Sequence, residues 1–329
     1  MKYTYKLFSA AVVCLAGLSP VQAVVVNSGF GAVAALAAAS PFSNVVRINI
    51  DNGGGSFGVC TGSLISATTI LTAKHCTESG GVGNYTVDFD RNGDGILQSG
   101  IDQTNSISSI FRAPDAPSNP NLKDGTDLAL LTLSGLLPNW VNSLFQKLWD
   151  GSVLGSLVTM VGYGGQGENS LQSGPGGSRW AAQNVADKVG AAGFNEPNSA
   201  NIISTDFDNP VGSGFPSLGT GNTLGASPVD SSPDALSTEG TTAGGDSGGP
   251  LLIELNNEWL IAGVLSGGTR GDSGFGDISW WTGVGNYRTQ IEAAGGVFYS
   301  NTVPEPGALA LVVLALFAAG ALGKQRQMN

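Results

Sequence analysis

The chain has 329 residues, with 25 Asp+Glu against 14 Lys+Arg and a formal net charge of −11. So acidic a balance argues against nucleic-acid binding, which needs a basic surface, and 41% hydrophobic residues exclude disorder despite 50 glycines. With Cys14 in the expected leader, two cysteines and one histidine are too few ligands for a structural zinc site.

In chain order, residues 1–23 read as a secretory leader. Lys2 and Lys6 precede an apolar run over 7–18, too short to span a bilayer, and Val21-Gln22-Ala23 has small residues at the cleavage spacing. Between 24 and 303 there are 24 acidic residues against 10 basic ones, which suits a soluble exported protein. Short apolar runs bounded by Gly, Asn, Ser and Pro predict strands over 44–50, 62–65, 69–72, 85–89, 106–111, 128–133, 157–161, 250–255 and 259–265. Long amphipathic helices are scarce, so the architecture is a sandwich or barrel. Short helices are expected over 141–149 and, closing the domain, over 287–294. Residues 138–155 read as a crossover between two halves, and 209–239 as long surface loops rich in Gly, Ser, Pro, Thr and Asp. At the end, Val303-Pro304-Glu305-Pro306 precedes the uncharged stretch 307–323, then Lys324 and Arg326. That stretch is just long enough to span a membrane, with the basic end on the cytoplasmic side.

Cys14 leaves with the leader. Cys60 and Cys76 remain as an even pair in an exported chain, which predicts a disulfide.

Acyl transfer by a serine needs a hydroxyl, a base to take its proton, and donors waiting for the oxyanion. The single histidine, His75, lies in Leu71-Thr72-Ala73-Lys74-His75-Cys76 and is the one imidazole available as base. Ser247, in Gly244-Gly245-Asp246-Ser247-Gly248-Gly249-Pro250, supplies the hydroxyl, and its flanking glycines permit a tight turn whose Gly245 and Ser247 amides converge on one oxygen. Asp127, opening the apolar run Asp127-Leu128-Ala129-Leu130-Leu131, can be buried against the imidazole and fix its tautomer.

Together with Cys60-Thr61-Gly62-Ser63-Leu64-Ile65, Gly162-Tyr163-Gly164 and Ser266-Gly267-Gly268, and in this order, these motifs resemble the trypsin/chymotrypsin family of serine endopeptidases over most of residues 40–292. The resemblance implies an all-β fold of two packed six-stranded antiparallel Greek-key barrels with a short C-terminal helix. The first barrel would cover about 24–137 and the second about 150–286, within a protease domain of 24–294. It implies His75 as general base and then acid, Asp127 as its orienter, Ser247 as nucleophile, and the Gly245 and Ser247 amides as oxyanion hole. Ser266 is expected to hydrogen-bond Asp127, and Ser266, Gly267 and Gly268 to pair with the substrate backbone. Thr241 falls at the floor of the specificity pocket. Being uncharged, it implies a neutral or apolar preference, with Gly268 leaving the pocket open. Asp246 matches a buried carboxylate that pairs with a free N-terminal amine, and cleavage after Ala23 would create one at Val24. Ala243 stands where many members carry a cysteine, so the second half lacks a disulfide of its own.

Two further expectations concern ligands and location. Asp90, Asn92, Asp94 and Ile96, in Asp90-Arg91-Asn92-Gly93-Asp94-Gly95-Ile96, alternate oxygen donors as a calcium loop does; the competing reading is an Asn-Gly/Asp-Gly hairpin turn. Any calcium would be structural, and no cofactor is needed for the chemistry. The tail resembles a PEP-CTERM sorting signal, with a linker over 295–306 and a transmembrane helix and basic tail over 307–329. It implies export and sorting machinery as partners and membrane attachment before processing, in the periplasm, cell envelope or outside. The expected protein is thus a monomeric exported endopeptidase acting on proteins or peptides, the alternatives being a catalytically silent binding module and an esterase with the same triad.

Overall fold

Strands form here because apolar side chains alternate along short runs that glycine-rich turns then reverse. The computed structural model describes residues 24–115, 122–135, 137, 140, 145–174, 176–190, 200–210, 224 and 235–300. The chain enters through β1 (Val24–Val26) and α1 (Gly31–Ala39), an uncharged helix that packs on the second half of the molecule.

Strands β2 (Val45–Gly53), β3 (Ser56–Leu64), β4 (Thr69–Thr72), β5 (Tyr85–Phe89), β6 (Gln103–Arg112) and β7 (Ala129–Leu133) close into a barrel in the order β2-β3-β4-β7-β6-β5. In β5 the alternation is direct: Tyr85, Val87 and Phe89 are buried while Thr86 and Asp88 are half-buried. Closure removes free edges, and the interior fills with residues such as Ile48, Ile70, Leu71 and Leu131.

The second half comprises β8 (Lys147–Leu148), β9 (Leu157–Gly162), β10 (Gln166–Glu168), β11 (Trp180–Val185), β12 (Lys188–Val189), β13 (Ile202–Asp206), β14 (Gly240–Thr241), β15 (Pro250–Leu255), β16 (Glu258–Gly268) and β17 (Ile278–Gly283), closed off by α2 (Arg288–Ala293). Its main sheet runs β11-β9-β15-β16-β17-β13-β12, with β8 added in parallel to β16. A smaller sheet, β10-β1-β14, stitches the entering strand into this half.

The expected double-barrel, all-β architecture is present. The first barrel is six-stranded and closed; the second, among the described residues, is an open eight-stranded half-barrel. Strands β4 and β15 have the bounds expected from sequence, and α2 lies where the closing helix was expected. Two readings need correction. Residues 24–39 do not open the first barrel, because β1 pairs with β10 and β14 and α1 packs on β11. Lys147–Leu148, within the expected helix over 141–149, is strand because it pairs with Leu260 and Ile261; residues 141–144 lie outside the described residues. No helix among the described residues is long and apolar enough to cross a membrane, and the leader, the PEP motif and the apolar tail lie outside them, as does most of 209–239.

Candidate active site

β4 ends at Thr72, and His75 begins a one-turn 3-10 helix, His75–Thr77, that carries the ring to the rim of the first barrel. The disulfide Cys60–Cys76, with Cα atoms 6.1 Å apart, ties this turn to β3. Asp127 precedes β7 and is buried. Its Oδ1 accepts the His75 backbone N–H at 2.9 Å, and its Oδ2 lies 2.7 Å from His75 Nδ1. An acceptor at that distance holds the proton on Nδ1 and leaves Nε2 as the free lone pair. The ring borders a cleft of about 350 Å³ lined by Lys74, Glu78, Asp115, Leu122, Thr126 and Asp127.

Ser247 reaches this place from the other half, on the turn before β15. Cys76 Sγ lies 3.8 Å from His75 Nε2 and 3.6 Å from the Ser247 carbonyl oxygen, so one sulfur touches both residues. Bound in the disulfide, that sulfur is neither thiol donor nor metal ligand. The Ser247 hydroxyl itself makes no hydrogen bond to the ring within the described residues. Such a contact is commonly loose in a free hydrolase and tightens with substrate.

The Ser247 turn is fastened to the first barrel chiefly by Thr61. Its N–H donates to the Ser247 carbonyl at 2.8 Å, and its hydroxyl donates to the Gly245 carbonyl at 3.0 Å and accepts the Tyr163 N–H at 3.0 Å. Gly248 has φ +82°, and any Cβ there would collide with the Thr72 hydroxyl and the Thr61 carbonyl. Along the turn the amides of Asp246, Gly248 and Gly249 donate to Ala243, Leu265 and Asp246 carbonyls. The amides of Gly245 and Ser247, among the described residues, donate to nothing. Two unused donors one residue apart are what a developing oxyanion needs.

Asp246 points inward. Its Oδ1 accepts from Gly164 N–H at 2.7 Å, its Oδ2 from Ala243 N–H at 2.9 Å, and the Val24 amide donates to it as well. A Cβ on Gly162 or Gly164 would strike this carboxylate, which explains the Gly162-Tyr163-Gly164 motif. Burial, only partly offset by these amides, pushes the Asp246 carboxyl up to about 7. Val24 is fully buried and holds φ +68°, a left-handed conformation costly for a β-branched residue.

Other sequence expectations meet different geometry. Ser266 does not bond Asp127. It falls at the β16–β17 register shift, without a ladder partner, and its hydroxyl pairs with Thr282 Oγ1 at 2.9 Å. The Thr241 hydroxyl lies 3.1 Å from Ser279 Oγ and the Thr242 hydroxyl 2.7 Å from the same atom. Gly267 and Gly268 end β16, opposite Trp280 and Ser279.

The loop carrying Asp90, Asn92, Asp94 and Ile96 does not form a calcium cradle. Asp90 is buried in an ion pair with Arg179 at 3.2 Å and accepts Gly93 and Gly95 amides at 2.8 Å each. Asn92 and Asp94 bond each other, and Asp94 Oδ1 accepts the Ile96 amide. A cation here would have to share Asp90 with a guanidinium, so the residues do not fit the ion. Arg179 instead links this first-half loop to the second half, also donating to the Tyr163 hydroxyl at 3.0 Å. Burial raises Tyr163 to about 12, keeping it a neutral acceptor.

Sequence reasoning missed Thr61 as a fastener, although it stands inside a quoted motif, and missed Arg179 altogether. One signal was accessible: a basic residue directly before the Trp180-Ala181-Ala182 run must find a buried acid.

A closed barrel and an open half-barrel, with a buried Asp–His pair in one and a glycine-flanked serine turn in the other, define a trypsin-like double-barrel architecture. The family model for Trypsin matches residues 13–185, just over half of the chain, and the chain belongs to the trypsin family. The matched stretch includes His75 and Asp127 and ends before Ser247. The chain is also similar to "Putative peptidase Cgl1093" of Corynebacterium glutamicum, 27% identical over 255 residues, 75% of this chain and 66% of that protein. It thus spans just under two thirds of that relative's length.

Proposed function

We propose that the chain is an exported serine endopeptidase working through His75, Asp127 and Ser247. The observation that carries this reading is the turn on which the Gly245 and Ser247 amides are free, held beside the Asp127-oriented imidazole. In the reaction His75 Nε2 takes the Ser247 proton as Oγ attacks the scissile carbonyl. The two amides hold the oxyanion, and Asp127 steadies the imidazolium. His75 then protonates the leaving amine, and water repeats the sequence on the acyl-enzyme. No cofactor takes part.

A fluorophosphonate probe should label Ser247, and Ser247→Ala should lose labelling and about 10⁴-fold or more of peptide cleavage. A wild-type chain that stays unlabelled would support the silent binding module. Labelling with cleavage of esters but no peptide of a library would support the esterase.

Maturation belongs to the same reading. The Val24 amide already donates to Asp246, and cutting after Ala23 would turn it into an ammonium against that carboxylate. The cut also removes the carbonyl that defines φ at Val24, so the strained torsion disappears. Export would thus complete the charge pair beneath the serine turn without a separate activating protease. The Cys60–Cys76 disulfide supports an oxidising compartment, the periplasm or outside. The apolar tail serves as membrane anchor until sorting removes it.

A further inference from the structure

Lys74, the residue before the imidazole, has only 9% of its surface exposed. An ammonium so far from water is costly unless it is paired and hydrogen-bonded. Here it is turned away from solvent, toward the chain that leaves β6. Its Nζ donates to the Ala113 carbonyl at 3.4 Å and to the Asp115 carboxylate. The Asp115 side chain is 61% exposed, so the pair runs from the interior to the surface along the wall of the cleft beside His75.

Ala113 gives this contact its reach. It lies one step beyond Arg112 and Ala129, the last pair of the β6–β7 ladder, and its N–H donates to the Leu128 carbonyl at 2.9 Å. Leu128 directly follows Asp127. One residue therefore joins the chain just after the carboxylate to the side chain just before the imidazole. Arg112 takes a second grip on the same turn. Its guanidinium donates to the Thr77 hydroxyl at 2.8 Å and to the Thr77 carbonyl. The Thr77 hydroxyl and amide in turn donate to the Lys74 carbonyl at 2.7 and 2.8 Å. The one-turn helix His75–Thr77 is thus clamped to the end of β6 at both of its ends. So short a helix has little backbone pairing of its own, and side chains must supply its orientation.

Resting on the peptidase reading above, we propose that Lys74 is a positioning residue of the reaction: through Ala113 and Asp115 its ammonium fixes the His75 ring against Asp127 in the orientation that proton transfer from Ser247 needs. The disulfide ties the turn to β3; Lys74 ties it to the strand pair that delivers the carboxylate.

The test uses the full mature chain. His75 is the only histidine, so isotope labelling at histidine gives a single imidazole spectrum by NMR. Exchange of the Nδ1 proton with water should quicken at least about tenfold in Lys74→Met, the scale of one weakened hydrogen bond. In the same variant kcat on peptides should fall about 10- to 100-fold with KM within about threefold, the cost of a misplaced reacting group. Lys74→Arg keeps a cationic donor and should recover most of both; an Arg variant as impaired as the Met variant counts against the proposal. Unchanged kcat and exchange in Lys74→Met overturn it, as does a lower melting temperature without either change, which would make Lys74 merely structural. If Lys74→Met does not fold, Asp115→Asn decides. It should lower kcat about threefold, the scale of an exposed ion pair, and quicken the exchange, and no effect on either overturns the proposal. The exchange measurement needs no substrate. If no peptide is cleaved while Lys74→Met still quickens the exchange, the peptidase reading fails and the positioning of His75 stands.

Discussion

The two halves of this molecule solve the same packing problem in different ways. The first barrel is made of six strands contiguous between Val45 and Leu133, closed on itself and stapled by Cys60–Cys76. The second is open, borrows β1 and α1 from the start of the chain, and buries Asp187, Asp206, Asp208, Glu239, Asp246 and Asp277. The half that holds the Asp127–His75 pair closes by local strand pairing and apolar burial. The half that holds the Ser247 turn draws on distant segments, Val24 and Gly164 among them, to satisfy Asp246. Its geometry is therefore conditional, on the state of Val24 above all.

That contrast can be broken at several points, the largest effect first. Chains retaining residues before Val24 should be at least about 100-fold less active than chains beginning at Val24, the scale expected for losing oxyanion donors. Equal activity of the two forms would separate the serine turn from the entering strand. Melting curves sharpen the same comparison. In the uncut chain the Asp246 carboxyl is raised to about 7 from an ordinary value near 4. Its stabilising contribution is complete below pH 4 and lost as pH rises through 7, on the order of 4 kcal/mol. In the cut chain an ammonium pairs with the carboxylate, and this decline should vanish or reverse.

Glu239 extends the argument within the second half. Burial, with amides of Leu236 and Asp208 opposing and the charges of Asp206 and Asp187 adding to it, lifts its carboxyl to about 8. A raised carboxyl stabilises the fold below its unfolded value and stops doing so as pH passes 8. Amide hydrogen exchange, corrected for intrinsic rates, should quicken in β13 and β14 between pH 5 and 9 while β2–β7 hold steady. Uniform change in both halves would contradict the division.

Thr61→Val attacks the seam. It removes the hydroxyl between Gly245 and Tyr163 and leaves a buried acceptor and donor unpaired, for about 2 kcal/mol of stability. Because Gly245 loses its carbonyl anchor, kcat should fall more than KM rises; a loss of stability without that split would make Thr61 merely structural. The smallest effect expected is none: chelator should leave the melting temperature unchanged, since Asp90 is committed to Arg179. A shift would restore calcium to the loop over 90–96.

What could be read from the sequence follows the same division. β4 and the closing helix were legible because apolar spacing and turn residues are local signals. β11 and β13 were not, since Trp-Ala-Ala-Gln-Asn-Val and Ile-Ile-Ser-Thr-Asp mix small and polar residues in strands that are largely buried. Asp127, His75 and Ser247 announced themselves through their motifs. The contacts of Asp277 with the Thr269 and Arg270 amides were not legible, because they depend on the length of the hairpin between β16 and β17. Asp90 misled for a related reason: its spacing matched an ion loop, and only the fold brings Arg179 to it.

Gly248 deserves a last consequence. Its bare Cα lies against Thr72 and Thr61, with no space for a methyl. Any larger residue there would act as a wedge, prising the serine away from the imidazole while leaving each barrel able to fold. A single hydrogen atom in place of a side chain thus sets the distance between the Ser247 turn and the strands β3 and β4 of the first barrel.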